Sequence, residues 1–242
     1  MSRHEASARA AIDFIDAGTV ATSMDTASHA DVWMLSVPDD EIENQAEALL
    51  ARDDLSESTI VFHCSGAKSS TVLDRLRQRG VAIASVHPVR SFANPSALVS
   101  DFAGTYCGIE GDDAAVEILR GAFTEIGAQV FSLSAEHKRR YHAASVFASN
   151  YLVSLIDVAQ RCYESAGIAP ELAQRLAEPL ASKTLENCFR MCTTSALTGP
   201  IKRGDMNSVA LQLQDLQSWD AEVAALYEAF IPLTQNVAQR DE

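Results

Sequence analysis

The chain reads as an α/β protein, a parallel sheet in its first half followed by an all-α second half. Short apolar runs, each closed by proline or glycine, alternate with helix-compatible stretches up to about residue 135. From 136 onward only helical patterns follow. Strand-like runs that come first and helices that come after predict two domains, 1–135 and 136–242.

The elements follow in order. "ADVWMLSVPDD" (30–40) is a buried strand that stops at Pro38, and "STIVFHCSG" (58–66) is a second that stops at Gly66. "GVAIASVHPV" (80–89) is a third, also closed by proline. Helical stretches at 40–52 and 68–79 separate them, and strands so separated pair in parallel. "GTYCGIEG" (104–111) and "AQVFSLS" (128–134) are two more strands around a helix at 112–126. Residues 136–166 carry one long helical pattern, stopped by Gly167 and Pro170. Further helices are expected at 171–193, 205–216 and 219–238.

Composition narrows the function classes. A chain of 242 residues with 47% hydrophobic and 21% charged residues can bury a full core. Its net charge of −14 argues against nucleic acid or an anionic membrane as the main partner. "MSRHEASARA" has no apolar signal core, and no apolar run approaches the roughly 20 residues that cross a bilayer. Of the five cysteines only Cys188 and Cys192 are closely spaced, with no second Cys or His pair beside them. No metal site is expected, and reduced thiols point to a cytoplasmic location.

Polar residues collect at the strand ends: Val37-Pro38-Asp39-Asp40, His63-Cys64-Ser65-Gly66 and His87-Pro88. In open α/β sheets such ends face one ligand crevice. In "YHAASVFASNYLVSL" (141–155), His142, Val146, Ser149, Asn150 and Val153 fall on one helical face. Either this stripe bonds to the neighbouring domain, or it walls the crevice with His142 as proton donor and Asn150 orienting a substrate oxygen. "ALTGPIKRGD" (196–205) poses a similar choice. Behind the Gly199-Pro200 break it is either a solvated linker in which Asp205 caps the next helix, or a loop whose Lys202 and Arg203 close over an anionic ligand.

"SVPDDEI", "HCSG", "HPV", "RRYHAASVFASN" and "ALTGPIKRGD", in this order and spacing, resemble a family that joins a Rossmann-like NAD(P)-binding domain to a C-terminal helical domain of unknown function 2520. The architecture is similar to pyrroline-5-carboxylate reductase, ketopantoate reductase and the 6-phosphogluconate dehydrogenase group. The resemblance implies an NAD(P)-dependent oxidoreductase acting on a small carbonyl, imine or hydroxy acid, and a homodimer formed through the helical domain. Leu185, Phe189, Leu211, Leu216 and Trp219 supply apolar surface either for such a dimer or for packing within the chain.

Two departures qualify this. The β-hydroxyacid dehydrogenases of the wider group carry a catalytic lysine four residues before the asparagine matching Asn150, where this chain has Val146. The sequence also lacks G-x-G-x-x-G, whose glycines let a backbone approach a pyrophosphate. Against the family pattern "MSRHEASARA" matches the stretch just after the second strand, so the sheet is expected to be an N-terminally incomplete Rossmann-like sheet. Either the native chain begins roughly 30 residues upstream, or two central strands are missing and apolar edges lie exposed; packing cost favours the first. Ser2, Arg3, Val37, Pro38, Ser65 and Gly66 are then the expected cofactor contacts, and Arg3 favours NADP over NAD. His142, Asn150 and Lys202 are the expected catalytic residues, and His87, Lys202 and Arg203 would bind an anionic small-molecule substrate. Cofactor binding by the chain as it stands is expected to be impaired. The alternative is a non-catalytic ligand-binding or interaction module that has lost the dinucleotide site.

Overall fold

A computed structural model describes residues 4–240, so Ser2 and Arg3 lie outside the described residues. The chain divides into two compact units, Met1–Ser149 and Asn150–Glu242. The division falls one helix beyond the change of sequence character at 135, because the helix after that point packs on the sheet of the first unit.

The first unit opens with α1 (Glu5–Ile15), for which the sequence patterns gave no expectation. Five strands follow: β1 (Val32–Leu35), β2 (Ile60–His63), β3 (Ala82–Pro88), β4 (Tyr106–Gly111) and β5 (Gln129–Ser132). They lie side by side in chain order. Between β1 and β2 runs α2 (Ile42–Leu50), and between β2 and β3 a 3-10 turn at Ser70–Leu73 leads into the short α3 (Asp74–Arg77). β1, β2 and β3 are parallel, with Leu35 opposite His63 and His63 opposite Ser85.

The expected all-parallel order fails at one place: β4 runs antiparallel to β3, with His87 opposite Gly108. The only helix in that connection is the six-residue α4 (Pro95–Ser100). Its length of about 9 Å cannot carry the chain back along a strand of about 23 Å, so the chain turns and returns. α5 (Asp113–Glu125) then makes a true crossover, and β5 pairs in parallel with β4.

The core lies on both sides of this sheet. Along β2, Val61 packs with Leu35, Ile42, Leu49, Leu73 and Ile83 under α2 and α3. Ile60 and Phe62 point the other way, to Ala84, Val86, Ile109 and Leu119 under α5. A strand covered on both faces has no polar face, which explains the unbroken apolar run. Among the described residues β1 is one edge of the sheet, and its Val32 and Met34 are exposed. The unit closes with α6 (Lys138–Ala148).

The expected single helix over 136–166 is two. Ser149 leaves helical geometry at φ −129°, ψ −70°, and α7 (Asn150–Ser165) begins after it. The stripe from His142 to Asn150 is therefore not one continuous helical face. The second unit continues with α8 (Pro170–Arg190), α9 (Thr193–Ala196), α10 (Pro200–Arg203), α11 (Met206–Trp219) and α12 (Ala221–Gln239). α7 pairs with α8, and α11 with α12. Asp220 starts α12 by accepting from the Glu222 and Val223 N–H groups, and Arg161 of α7 holds it by an ion pair of 2.5 Å. No helix of the described residues is long and apolar enough to cross a membrane.

One glycine tests the sheet. Gly111 sits at φ 144°, and a Cβ there would lie 2.3 Å from the Ile83 carbonyl oxygen. Gly111→Ala is expected to cost more than about 2 kcal/mol in urea unfolding. A wild-type midpoint would show that β3 and β4 do not approach as described.

Candidate functional site

Parallel pairing of β1, β2 and β3 puts their carboxyl ends at one end of the sheet. A cavity of about 630 Å³ opens there, lined by Met34, Cys64, Ser65, Gly66, His87 and His142 among others. A neighbouring cleft of about 690 Å³ is lined by residues including Ser23, Met24, Val37 and Pro38. Ser36 borders both.

The turn after β2 is built from its own side chains. Ser65 Oγ donates to Asp39 Oδ2 at 2.7 Å and accepts from the Ala67 and Lys68 N–H groups at 3.2 and 2.9 Å. This fixes the backbone of Gly66, over which two imidazoles close. A Cβ at Gly66 would stand 2.2 Å from His142 Cδ2 and 2.7 Å from His87 Nε2. Only glycine lets the two rings come this near, their centroids being 5.6 Å apart.

His87 is held by Tyr141, whose phenol oxygen lies 2.8 Å from Nδ1. Burial pushes the Tyr141 phenol up to about 12, so it keeps its proton and can donate to Nδ1. Burial, with His142 and then Lys138 nearby, pushes His87 down to about 4. A neutral His87 that accepts at Nδ1 carries its proton on Nε2, on the side of Gly66 and His142. The pair can therefore offer a neutral N–H donor beside a second imidazole. His63 lies behind them, fully buried, and burial with the Lys138 charge lowers it to about 4.

The expected site residues divide between the units. His87, His142, Ser65 and Gly66 meet at the cavity of the first unit, and Val37 and Pro38 line the cleft beside it. Asn150, Lys202 and Arg203 belong to the second unit. Asn150 is exposed at the start of α7, and Lys202 Nζ donates to the Ala238 carbonyl at 3.3 Å. Arg203 is exposed in the last turn of α10. Asp205 caps α11, accepting from Ser208 N–H at 3.1 Å. Tyr141 was missed, although its place directly before His142 put it within reach of the same strand ends. Lys138 was missed as well, because "KRR" reads as a solvated charge run.

Do these residues fit a dinucleotide? At the Ser65–Gly66 end they do: the turn lines a cavity of about 630 Å³ that His87 and His142 also border. No described segment supplies a strand, glycine-rich turn and helix for a pyrophosphate.

A mostly parallel sheet with its polar residues at one end, followed by a helical region, is a fold of the Rossmann type. The comparisons agree: a Rossmann-like domain matches residues 1–88. The chain belongs to the family described as "Domain of unknown function (DUF2520)", which matches residues 105–232. Protein TM1727 from Thermotoga maritima is 30% identical, with 98% of this chain and 89% of that one aligned at a TM-score of 0.76. BF3122 from Bacteroides fragilis, given as a candidate NADP oxidoreductase, is 20% identical over 99% and 87% of the two chains, with a TM-score of 0.76. Pyrroline carboxylate reductase from Plasmodium falciparum, solved with NADP bound, is 14% identical over 89% and 80%, with a TM-score of 0.51. The last two likenesses are of fold alone. No curated protein matches the chain.

The buried His63 and the half-buried His87 set a pH dependence. An unfolded histidine titrates near 6.5, whereas folded His63 and His87 titrate near 4. Between these values the unfolded chain binds protons that the folded one refuses, so stability is full above pH 6.5 and falls toward pH 4. His63 alone accounts for about 3 kcal/mol over that window. Urea unfolding at pH 7 and pH 4.5 reads it, and His63→Gln should flatten the slope. An equal slope in that variant would remove His63 as the cause.

Proposed function

We propose that this chain is an NAD(P)-dependent oxidoreductase that reduces a small carbonyl or imine, or oxidises the corresponding hydroxy acid or amine. The observation that supports it is the convergence of His87 and His142 on the bare Gly66 turn at the carboxyl ends of β2 and β3. The NADP-bound fold relative is consistent with that reading.

The cofactor, when bound, supplies or accepts the hydride. Ser65 and Gly66 would hold its nicotinamide half, with Val37 and Pro38 beside the next cleft. The chain's own part is the proton and the orientation. His87 holds a proton at Nε2 because Tyr141 occupies Nδ1, so it can donate a hydrogen bond to the substrate oxygen or nitrogen. His142 would deliver the proton to that atom, with Lys202 as the other candidate donor and Asn150 orienting the substrate. Lys202 and Arg203 would receive a substrate carboxylate. Arg3 favours NADP. With no glycine-rich turn among the described residues, dinucleotide binding by this chain is expected to be weak.

We also propose that two copies associate through the second unit in the cytoplasm. None of the 16 residues of α7 is buried, and Phe189 and Leu211 are 89% and 67% exposed. Apolar surface of this kind marks an interface.

NADPH fluorescence titration, with turnover of ketone and cyclic-imine panels, tests the reading. His142→Ala and Lys202→Ala are each expected to lower turnover, by roughly 100-fold for the histidine, while the protein stays folded. Wild-type rates in both would take them out of the mechanism. Absence of NADPH binding and turnover in the wild type would favour a non-catalytic ligand-binding module.

A further inference from the structure

At the start of α6 one charge points inward. Arg139 and Arg140 are exposed, but the Lys138 side chain is fully buried. Its Nζ donates to Ser85 Oγ and lies 3.4 Å from Glu110 Oε1. Glu110, itself buried, accepts from the Ser70 N–H at 2.8 Å and from the Ser70 hydroxyl at 2.7 Å. Ser85 Oγ stands 3.3 Å from His63 Nδ1, which also accepts the Ser65 N–H at 3.2 Å. His63 Nε2 faces the Ser69 carbonyl at 3.2 Å. Only the Nε2–H tautomer satisfies both ends of that ring.

This node ties together β2, β3, β4, the turn after β2, and α6. Apolar side chains could join the same elements without taking two charges out of water. A lysine, by contrast, is satisfied only where its ammonium reaches both Ser85 and Glu110. Lys138, Tyr141 and His142 stand at i, i+3 and i+4, so they share one face of the helix. The rotation that seats Lys138 is thus the rotation that places Tyr141 on His87 and His142 over Gly66.

We propose that Lys138 is a positioning residue: its buried ammonium fixes α6 against the sheet so that Tyr141 and His142 meet the Gly66 turn, and through Ser85 it sets His63 beneath that turn. The effect on turnover rests on the oxidoreductase reading above; the effect on the imidazoles does not.

Three variants test it by imidazole nitrogen NMR, thermal unfolding and turnover. Lys138→Met leaves Glu110 buried without its cation and should lower Tm by about 10 °C or more. Lys138→Met/Glu110→Gln removes both charges and should recover most of that Tm. Its His87 and His142 resonances should remain shifted, and kcat should stay roughly 10–100-fold down with cofactor KM near wild type. Ser85→Ala leaves Glu110 as the partner of Lys138 and should move His63 more than His87 or His142. Wild-type resonances for all three histidines in the double variant and in Ser85→Ala would overturn the proposal and leave Lys138 a structural role only. If the wild type has no turnover, the oxidoreductase reading fails while the NMR arms still decide the positioning.

Discussion

Placing a lysine and a glutamate together at the end of a sheet, out of water, commits everything around them. Removing either partner of such a pair typically costs about 3–5 kcal/mol, because the other is left as an uncompensated charge. Lys138 and Glu110 meet this demand with Ser85 and both donors of Ser70. No buried side-chain polar atom of the described residues lacks a partner. The arrangement also explains where the first unit ends. α6 cannot leave the sheet while its first residue is anchored there, so the division falls after Ser149 and not where the strands stop.

The second constraint is space. His87 rises from β3 and His142 descends from α6, and both meet the chain where it turns after β2. Two imidazoles cannot close over a residue that carries a Cβ, so Gly66 is required by contact rather than by backbone angle. Its φ is not among the positive ones. Tyr141 faces Gly108 in the same manner, with its phenol oxygen 3.1 Å from where a Cβ would be. Glycines on β4 and after β2 therefore make room for consecutive residues of one helix. Antiparallel β4 is part of this, since its return places Gly108 opposite His87.

Much of this was legible in the sequence. Apolar runs closed by Pro38, Gly66 and Pro88 fixed the strands to within a few residues, because a doubly covered strand admits no polar alternation. The direction of β4 was not legible: it depends on α4 being too short to recross the sheet, and 89–105 carried no clear helical signal. His87 was found because strand ends concentrate polar groups, and His142 because it belongs to a polar stripe on a helical pattern. Lys138 and Glu110 were not. Lys138 stands in "KRR", where composition implies solvent, and Glu110 sits in "GIEG", where a lone acid in a strand reads as an exposed face. What reveals them is their common approach to Ser85 and Ser70, a tertiary fact. The spacing from Lys138 to Tyr141 and His142 was nevertheless in the sequence, and an inward histidine implied that Lys138, four residues before it, also turned inward.

The stretch "ALTGPIKRGD" shows the opposite case, a conspicuous motif whose residue types are largely met by local needs. Gly199 and Gly204 adopt φ 95° and 76°, conformations that suit glycine on either side of the single turn of α10. Pro200 starts that turn, where its missing N–H costs nothing. Asp205 caps α11 through Ser208. Lys202 satisfies a carbonyl at Ala238, near the end of α12, where helix carbonyls lack intrahelical donors. The glycines and the proline meet backbone needs, and Asp205 and Lys202 each close a hydrogen bond that a helical unit with few buried large side chains must close somehow. Arg203 lies in the last turn of α10, where a cation suits the helix end, and after the Ser208 hydrogen bonds its charge also helps hold the Asp205 carboxyl below the usual range.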